Sequence, residues 1–401
     1  MDLQDADQLY AITNHDNTKP PHFACKECSH TVAEGEAAAE DEEDEEEPER
    51  PHTVAEVKEV LRPGKAQEWS ARGLAGLSTD DVLPEFDPAA IPQVKCMTSD
   101  QLPPQGDFRA EVEVKGGVPV IISGLSDGWH AMEEGAWDLS ALCRRFGGHH
   151  SFKVGPNDNV DTCHLCYITL QDYAAYIERG CDGDDSPLYL SDSLFGEIDP
   201  TSELLGDYAR PACFDEDLMA LVGEGLERPP FRYLLVGPPR TGGPMHIDSC
   251  ATHAWNTVIT GEKRWVMLPP CVLAEDTGDN ISTALFWYRD FYPQVKQRHE
   301  LALAAGQTVT LPNGVVLPGI GLTDFIQKPG ETVFVPSGWS HCVINIGTGV
   351  TAAITHNYIS STNLSAAWRE CLEEDPDVAA RWRVGIEREM PHLLPLINHG
   401  N

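Results

Sequence analysis

From residue 231 onward the chain runs in short apolar, β-branched segments, each stopped by glycine, proline or a small polar turn. They are Phe231–Val236, Trp255–Ile259, Lys263–Leu268, Glu331–Pro336, Cys342–Ile346 and Val350–Thr355. Strands of this length and spacing predict a closed or sandwiched β architecture. Thr260-Gly261-Glu262 predicts a hairpin joining the second segment to the third, and residues 270–325 read as an insertion. Upstream, Val118–Gly124 predicts a strand and Trp137–Phe146 an amphipathic helix. Beyond residue 362 the pattern turns helical: Thr362 is placed to cap a helix running through Trp368 and Leu372. Val378, Trp382 and Ile386 recur at helical spacing, so a C-terminal helical cap should turn its aromatic face inward. These signals divide the chain at residues 1–85, mostly linker and disorder with one short helix at Val54–Leu61, then 86–230, an α/β flank. Residues 231–361 form the β core and 362–401 the cap.

Two of the segments carry residues able to hold a metal. In Met245-His246-Ile247-Asp248 the histidine and the aspartate are one residue apart, and an extended strand points both to the same face. His341, just after Glu331–Pro336, can supply a third ligand from a distant strand. Two histidines and one carboxylate hold Fe(II) and leave its other positions open, whereas a structural zinc site closes with four ligands. An open site implies oxidation chemistry. Taken alone, His-x-Asp also fits an ordinary surface strand.

The residues around these ligands resemble the Jumonji C oxygenases. The matching blocks are Gly237-Pro238-Pro239-Arg240, Ala254-Trp255-Asn256, Gly261-Glu262-Lys263-Arg264-Trp265, Gln327 to Pro336, and Ala353-Ile354-Thr355-His356-Asn357. The likeness extends to the family's bifunctional arginine demethylase and lysyl hydroxylase branch through Asp185-Ser186-Pro187-Leu188-Tyr189 and Ser360-Ser361-Thr362-Asn363. It spans about residues 110 to 390. The resemblance implies a mainly β fold, a double-stranded β-helix of the cupin or jelly-roll type, with N-terminal α/β elements and a helical C-terminal cap. It implies Fe(II) on His246, Asp248 and His341, with 2-oxoglutarate and O₂ as cosubstrates. Lys263 would take the far carboxylate of 2-oxoglutarate with Thr355 as hydroxyl partner, and Asn256 and Tyr189 would hydrogen-bond the cosubstrate. The implied reaction converts 2-oxoglutarate to succinate while oxidising a protein side chain. A lysine carbon would yield a stable alcohol, and an N-methyl group on arginine would be lost as formaldehyde. Trp339-Ser340 stands where the branch has a second aromatic, so the substrate entrance should differ. Other readings of the fold are an inactive binding module and a cupin oxygenase of small metabolites.

Composition narrows the partners. A net charge of −36 argues against direct nucleic-acid binding and favours Lys- and Arg-rich protein segments, such as those of histones or RNA-processing factors. The acidic run Glu40–Glu49 reads as a solvated spacer. No apolar run approaches the roughly 18 to 20 residues of a membrane span, and the N-terminus lacks a signal-peptide pattern. The protein is therefore expected in the cytoplasm or, on the family resemblance, in the nucleus, and not secreted. Twelve cysteines are too sparse for a disulfide scaffold. Cys25-x-x-Cys28 and Cys163-x-x-Cys166 lie too far apart for one zinc module, and Cys250, Cys271 and Cys342 read as small buried hydrophobes.

Overall fold

The computed structural model describes residues 73–87, 94–103, 105–147, 150–155, 166–223, 228–272, 277–278 and 283–398. The strands are β1 Lys95–Thr98, β2 Val120–Ser123, β3 Ser151–Gly155, β4 Cys166–Thr169, β5 Tyr189–Asp192, β6 Arg232–Gly237, β7 Gly242–His246 and β8 His253–Thr260. They continue as β9 Glu262–Leu268, β10 Thr308–Thr310, β11 Val316–Pro318, β12 Thr323–Gln327, β13 Glu331–Val335, β14 Ser340–Ile346 and β15 Thr351–Tyr358. The longer helices are α1 Leu139–Phe146, α2 Leu170–Glu178, α3 Tyr292–Ala304, α4 Leu364–Glu374 and α5 Pro376–Glu389.

One sheet has the order β1-β2-β13-β8-β15-β6-β5-β3-β4, a second β12-β9-β14-β7, and β10 and β11 pair in a two-stranded third. Within them β13-β8-β15-β6 and β12-β9-β14-β7 pair antiparallel throughout, the two faces of a double-stranded β-helix. β8 is buried along nearly its whole length, because aromatic side chains cover the face turned away from the interior of the β-helix. Phe214 stacks on Trp255 at 6.0 Å and on Phe334 at 6.2 Å. Each such side chain taken out of water contributes about 1.5–3 kcal/mol, and that burial holds the strand in place.

The turn at Thr260-Gly261-Glu262 is not a hairpin. β8 bonds to β13 and β15 while β9 bonds to β12 and β14, so the turn carries the chain from one sheet to the other. Gly261 has φ 73°, and a Cβ there would fall 2.3 Å from Thr351 Oγ1, so the crossover needs glycine. A turn signal specifies a reversal, not the strand's partner. The insertion also ends before residue 325, because β12 begins at Thr323. Its polar residues disguise it: Asp324 and Gln327 are fully buried and satisfied by Arg264 and by the indole N–H of Trp265.

Folding starts earlier than residue 85. Ser78 caps a single helical turn at Thr79–Val82, Leu74 and Val82 are buried, and Arg240 donates to the Leu74 carbonyl at 3.0 Å. Thr362 does not cap α4; its hydroxyl donates to the buried Glu113 at 2.7 Å. Val378, Trp382 and Ile386 do face inward on α5, where Asp375 accepts from Val378 N–H and Trp382 donates to the Leu218 carbonyl. Cys250 and Cys342 are buried, but Cys271 is exposed. Glu40–Glu49, Val54–Leu61, Cys25, Cys28 and Cys163 lie outside the described residues. No helix among the described residues is long and apolar enough to cross a membrane.

Candidate metal and cosubstrate site

His246 ends β7 and His341 lies near the start of β14, and the two are direct cross-strand partners. Asp248 follows the end of β7 in extended backbone before a short 3₁₀ turn, so its carboxylate swings back toward both rings. Asp248 Oδ1 is 3.7 Å from His246 Nε2 and 3.9 Å from His341 Nε2. One ligand atom from each residue lies within 4.8 Å of the others. His246 Nδ1 contacts the Pro244 carbonyl at 2.7 Å and His341 Nδ1 the Trp339 carbonyl at 3.0 Å. Nδ1–H donation to those carbonyls leaves both Nε2 lone pairs facing the centre. Burial, with His246 beside it, holds His341 below the ordinary histidine range, which favours the neutral ligand form. The other carboxylate oxygen, Asp248 Oδ2, is buried without a partner among the described residues.

These ligands open into a cavity of about 410 Å³. Its wall includes all seven residues singled out from the sequence: His246, Asp248, His341, Lys263, Thr355, Asn256 and Tyr189. Lys263 on β9 is 1% exposed, its ammonium donates to the Tyr189 hydroxyl at 3.2 Å, and no carboxylate pairs with it among the described residues. Burial lowers its pKa from 10.5 to about 7. Asn256 and Thr355 are register partners on β8 and β15. Thr355 donates to the Trp255 carbonyl at 3.0 Å, while Asn256 Oδ1 is buried with no donor among the described residues.

Further wall residues were not assigned to the site from the sequence. Phe231, Tyr233 and Leu235 line the cavity, as do Trp265 and Asn357. The alternation of a strand predicts most of them: Tyr233 and Leu235 share a face of β6, Trp265 shares one with Lys263, and Asn357 with Thr355. Trp265 also stacks over His341 at 5.9 Å and 28°. Arg228 had no such signal; it stands before β6, lies over the Phe231 ring at 3.5 Å and pairs with Asp217 at 2.6 Å. Trp339 is buried with its indole N–H on the Gly117 carbonyl and is not part of the cavity wall.

Residues 233–358 match the family model described as JmjC domain, hydroxylase. A Caenorhabditis briggsae protein named bifunctional arginine demethylase and lysyl-hydroxylase psr-1 is 33% identical over 299 residues, covering 73% of this chain and 68% of that one. The chain belongs to the JmjC family. The Arabidopsis thaliana arginine-specific demethylase JMJ22 is 34% identical over 254 residues, 61% of this chain and 43% of its own. The human 2-oxoglutarate and iron-dependent oxygenase JMJD4 is 25% identical over 275 residues, 64% of this chain and 59% of its own. The JmjC cavity is built to suit Fe(II) and a dicarboxylate: a three-donor face with inward Nε2 atoms, and, among the described residues, an orphaned carboxylate oxygen and a buried lysine with no anion.

Proposed function

We propose that this JmjC chain is an Fe(II)- and 2-oxoglutarate-dependent oxygenase of protein side chains, hydroxylating lysine, demethylating N-methyl-arginine, or both. Lys263 carries the reading. A lone ammonium buried to 1% exposure is costly unless an anion joins it, and it lines the same cavity as the three-ligand face. When bound, the metal, O₂ and 2-oxoglutarate supply C–H oxidation coupled to formation of succinate and CO₂.

The chain's own residues do the rest. His246, Asp248 and His341 would hold the metal on one side and leave the cavity side open. Lys263 and the Tyr189 hydroxyl would take the far carboxylate, with Asn256 and Thr355 bounding the cosubstrate between them and the metal ligands. Phe231, Tyr233 and Arg228 form wall left over for the substrate side chain. That wall decides the product, since a displacement of about 1 Å in the bond presented can cost about two orders of magnitude in rate. A lysine carbon gives an alcohol, and an N-methyl group gives an N-hydroxymethyl that releases formaldehyde. A net charge of −36 favours encounter with Lys- and Arg-rich segments of the histone or RNA-processing-factor kind.

The test is succinate release with and without a library of Lys-rich and methyl-Arg peptides, followed by mass spectrometry. Gain of one oxygen marks hydroxylation and loss of one methylene marks demethylation. No peptide-dependent succinate and no modified peptide overturns the reading.

A further inference from the structure

The turn between β13 and β14 touches both loops that carry the metal face. Trp339 N–H donates to the Pro336 carbonyl at 3.2 Å and Gly338 has φ 79°, so residues 336–339 close a β-turn. The Trp339 carbonyl at its end fixes the His341 ring through Nδ1 at 3.0 Å. Such a turn leaves the N–H of its second residue, here Ser337, without a partner of its own. That N–H donates to Nδ1 of the buried His253 at 2.9 Å, and the Ser337 hydroxyl donates to the Ala251 carbonyl at 2.7 Å. Ser337 thus ties the turn leading into His341 to the turn that follows Asp248.

The second turn needs holding. Cys250 and Ala251 have φ 55° and 45°, two consecutive non-glycine residues in left-handed backbone. Residues of this kind persist only where their surroundings over-determine them, and they concentrate at functional sites. Here the Ala251 carbonyl accepts from Asn363 Nδ2 at 2.8 Å as well as from Ser337. Cross-strand pairing already sets His246 against His341, but Asp248 lies beyond the ladder and depends on this turn for its place.

His253 is oriented from behind. A backbone N–H only donates, so Nδ1 is the bare nitrogen and Nε2 carries the proton. Nε2 stands 3.2 Å from Thr362 Oγ1, whose own proton goes to Glu113 at 2.7 Å. The donors run one way, from Ser337 through His253 and Thr362 to a buried carboxylate that Tyr358 and Ser360 also hold, at 2.9 and 2.6 Å. Phe334 and Tyr358 flank the imidazole, each at 5.5 Å. Burial lowers the His253 pKa to about 4, which keeps the bare nitrogen bare at neutral pH.

We infer that His253 and Ser337 form a clasp that positions the metal face, holding the Asp248 turn at a fixed place against the His341 turn. Neither side chain belongs to the cavity wall, so both act through the ligands. The role rests on the metal reading of the site and adds two positioning residues to it.

The experiment measures Co(II) binding to full-length protein by calorimetry and visible absorption, at a temperature where circular dichroism shows each variant folded. His253→Gln keeps a donor for Thr362 but no acceptor where Nδ1 stands, and Ser337→Ala removes the bond to Ala251. Each should weaken Co(II) about tenfold. His253→Asn puts an amide oxygen near the Nδ1 position and should restore affinity to within about threefold of wild type. A merely structural histidine would behave otherwise, lowering the melting temperature in both His253 variants while the folded protein bound Co(II) as wild type does. Unchanged affinity in His253→Gln and Ser337→Ala, or an equal loss in His253→Asn and His253→Gln, overturns the inference. Should His253→Gln fail to fold, Ser337→Ala decides, because it deletes one hydroxyl from a half-buried turn. His246→Ala separates the two levels: if Co(II) binding survives it the metal reading itself falls, and if binding is lost while the clasp variants match wild type, only the clasp falls.

Discussion

His246 and His341 face each other across β7 and β14 with ring centroids 4.2 Å apart. Two imidazoles this close, each fixed by a backbone carbonyl, supply two of the three donors of a metal face. The β core that holds them is built from apolar side chains that need no metal, in clusters around Trp255, Phe286 and Met267. His246→Ala and Asp248→Ala should therefore abolish Fe(II)-dependent succinate release while leaving the circular dichroism spectrum and the melting temperature close to wild type. A structural zinc site would behave the other way, because its metal supplies folding energy outright. An unfolded Asp248→Ala protein would argue for a structural metal instead.

Lys263→Ala should raise the 2-oxoglutarate concentration for half-saturation about tenfold to hundredfold with little change in the iron requirement. A charge-assisted hydrogen bond to a carboxylate is worth about 1.5 to 3 kcal/mol, which is that range in affinity. Titrating succinate formation against 2-oxoglutarate at saturating iron checks it. An unchanged midpoint would mean that another cation holds the carboxylate.

The same lysine sets a pH dependence. Its pKa in the folded protein is lowered to about 7 by burial, below its ordinary 10.5. The cosubstrate-free protein then binds fewer protons than the unfolded chain between those values, so its stability should rise with pH above 7. Affinity for the dianion moves oppositely, because the ammonium form is needed: it should be flat below pH 7 and fall by up to about tenfold per pH unit above it. Lys263→Arg should remove this slope even where its affinity is weaker. Calorimetric binding between pH 6 and 8.5, on wild type and Lys263→Arg, tests both expectations.

How far the sequence reaches follows from what each signal encodes. His246, Asp248 and His341 were legible because metal chemistry restricts residue type and because strand alternation puts His-x-Asp on one face. The same alternation makes Trp265 and Asn357 readable once Lys263 and Thr355 are placed. Sheet membership was not legible at Thr260-Gly261-Glu262, since local turn chemistry does not specify which distant strand pairs with β9. β12 was hidden because its buried Asp324 and Gln327 are matched by Arg264 and Trp265, partners about sixty residues away in the chain. Thr362 looked like a helix cap, and only the fold reveals that its hydroxyl turns away to donate to the buried Glu113 while the helix begins one residue later, at Leu364.

Arg264 and Asp324 form a fully buried pair, with Arg264 Nε 3.0 Å and Nη2 2.7 Å from the two carboxylate oxygens. Removing one member strands the other charge in the core, at a typical cost of about 3–5 kcal/mol. Arg264→Ala should lose that much in denaturant unfolding, and Asp324→Asn somewhat less because the Tyr292 hydroxyl and the guanidinium can still donate to an amide oxygen. A double variant replacing both by apolar residues should recover part of the loss. A loss in Arg264→Ala under 1 kcal/mol would show that water reaches the pair.

Gly242 gives the last prediction, because it links backbone geometry directly to the metal face. It opens β7 opposite Ile344, and a Cβ there would sit 1.9 Å from the Val343 carbonyl oxygen and 2.8 Å from Ile344 Cα. Both contacts are backbone, so no side-chain rotation can relieve them, and β7 must move away from β14. His246 at the far end of β7 moves with it, while His341 on β14 is held by its own pairing with β9. Overpacking of this kind typically costs about 1–3 kcal/mol, well short of unfolding a domain this size. Gly242→Ala should thus remain folded but bind Co(II), as a spectroscopic substitute for Fe(II), more weakly by tenfold or more, with succinate release falling in parallel at limiting metal and recovering in part at excess. Gly349→Ala, in open space on the β14–β15 turn, is the matched control and should bind Co(II) as wild type does. Equal Co(II) affinity in both variants would mean that the β7–β14 register does not set the position of His246.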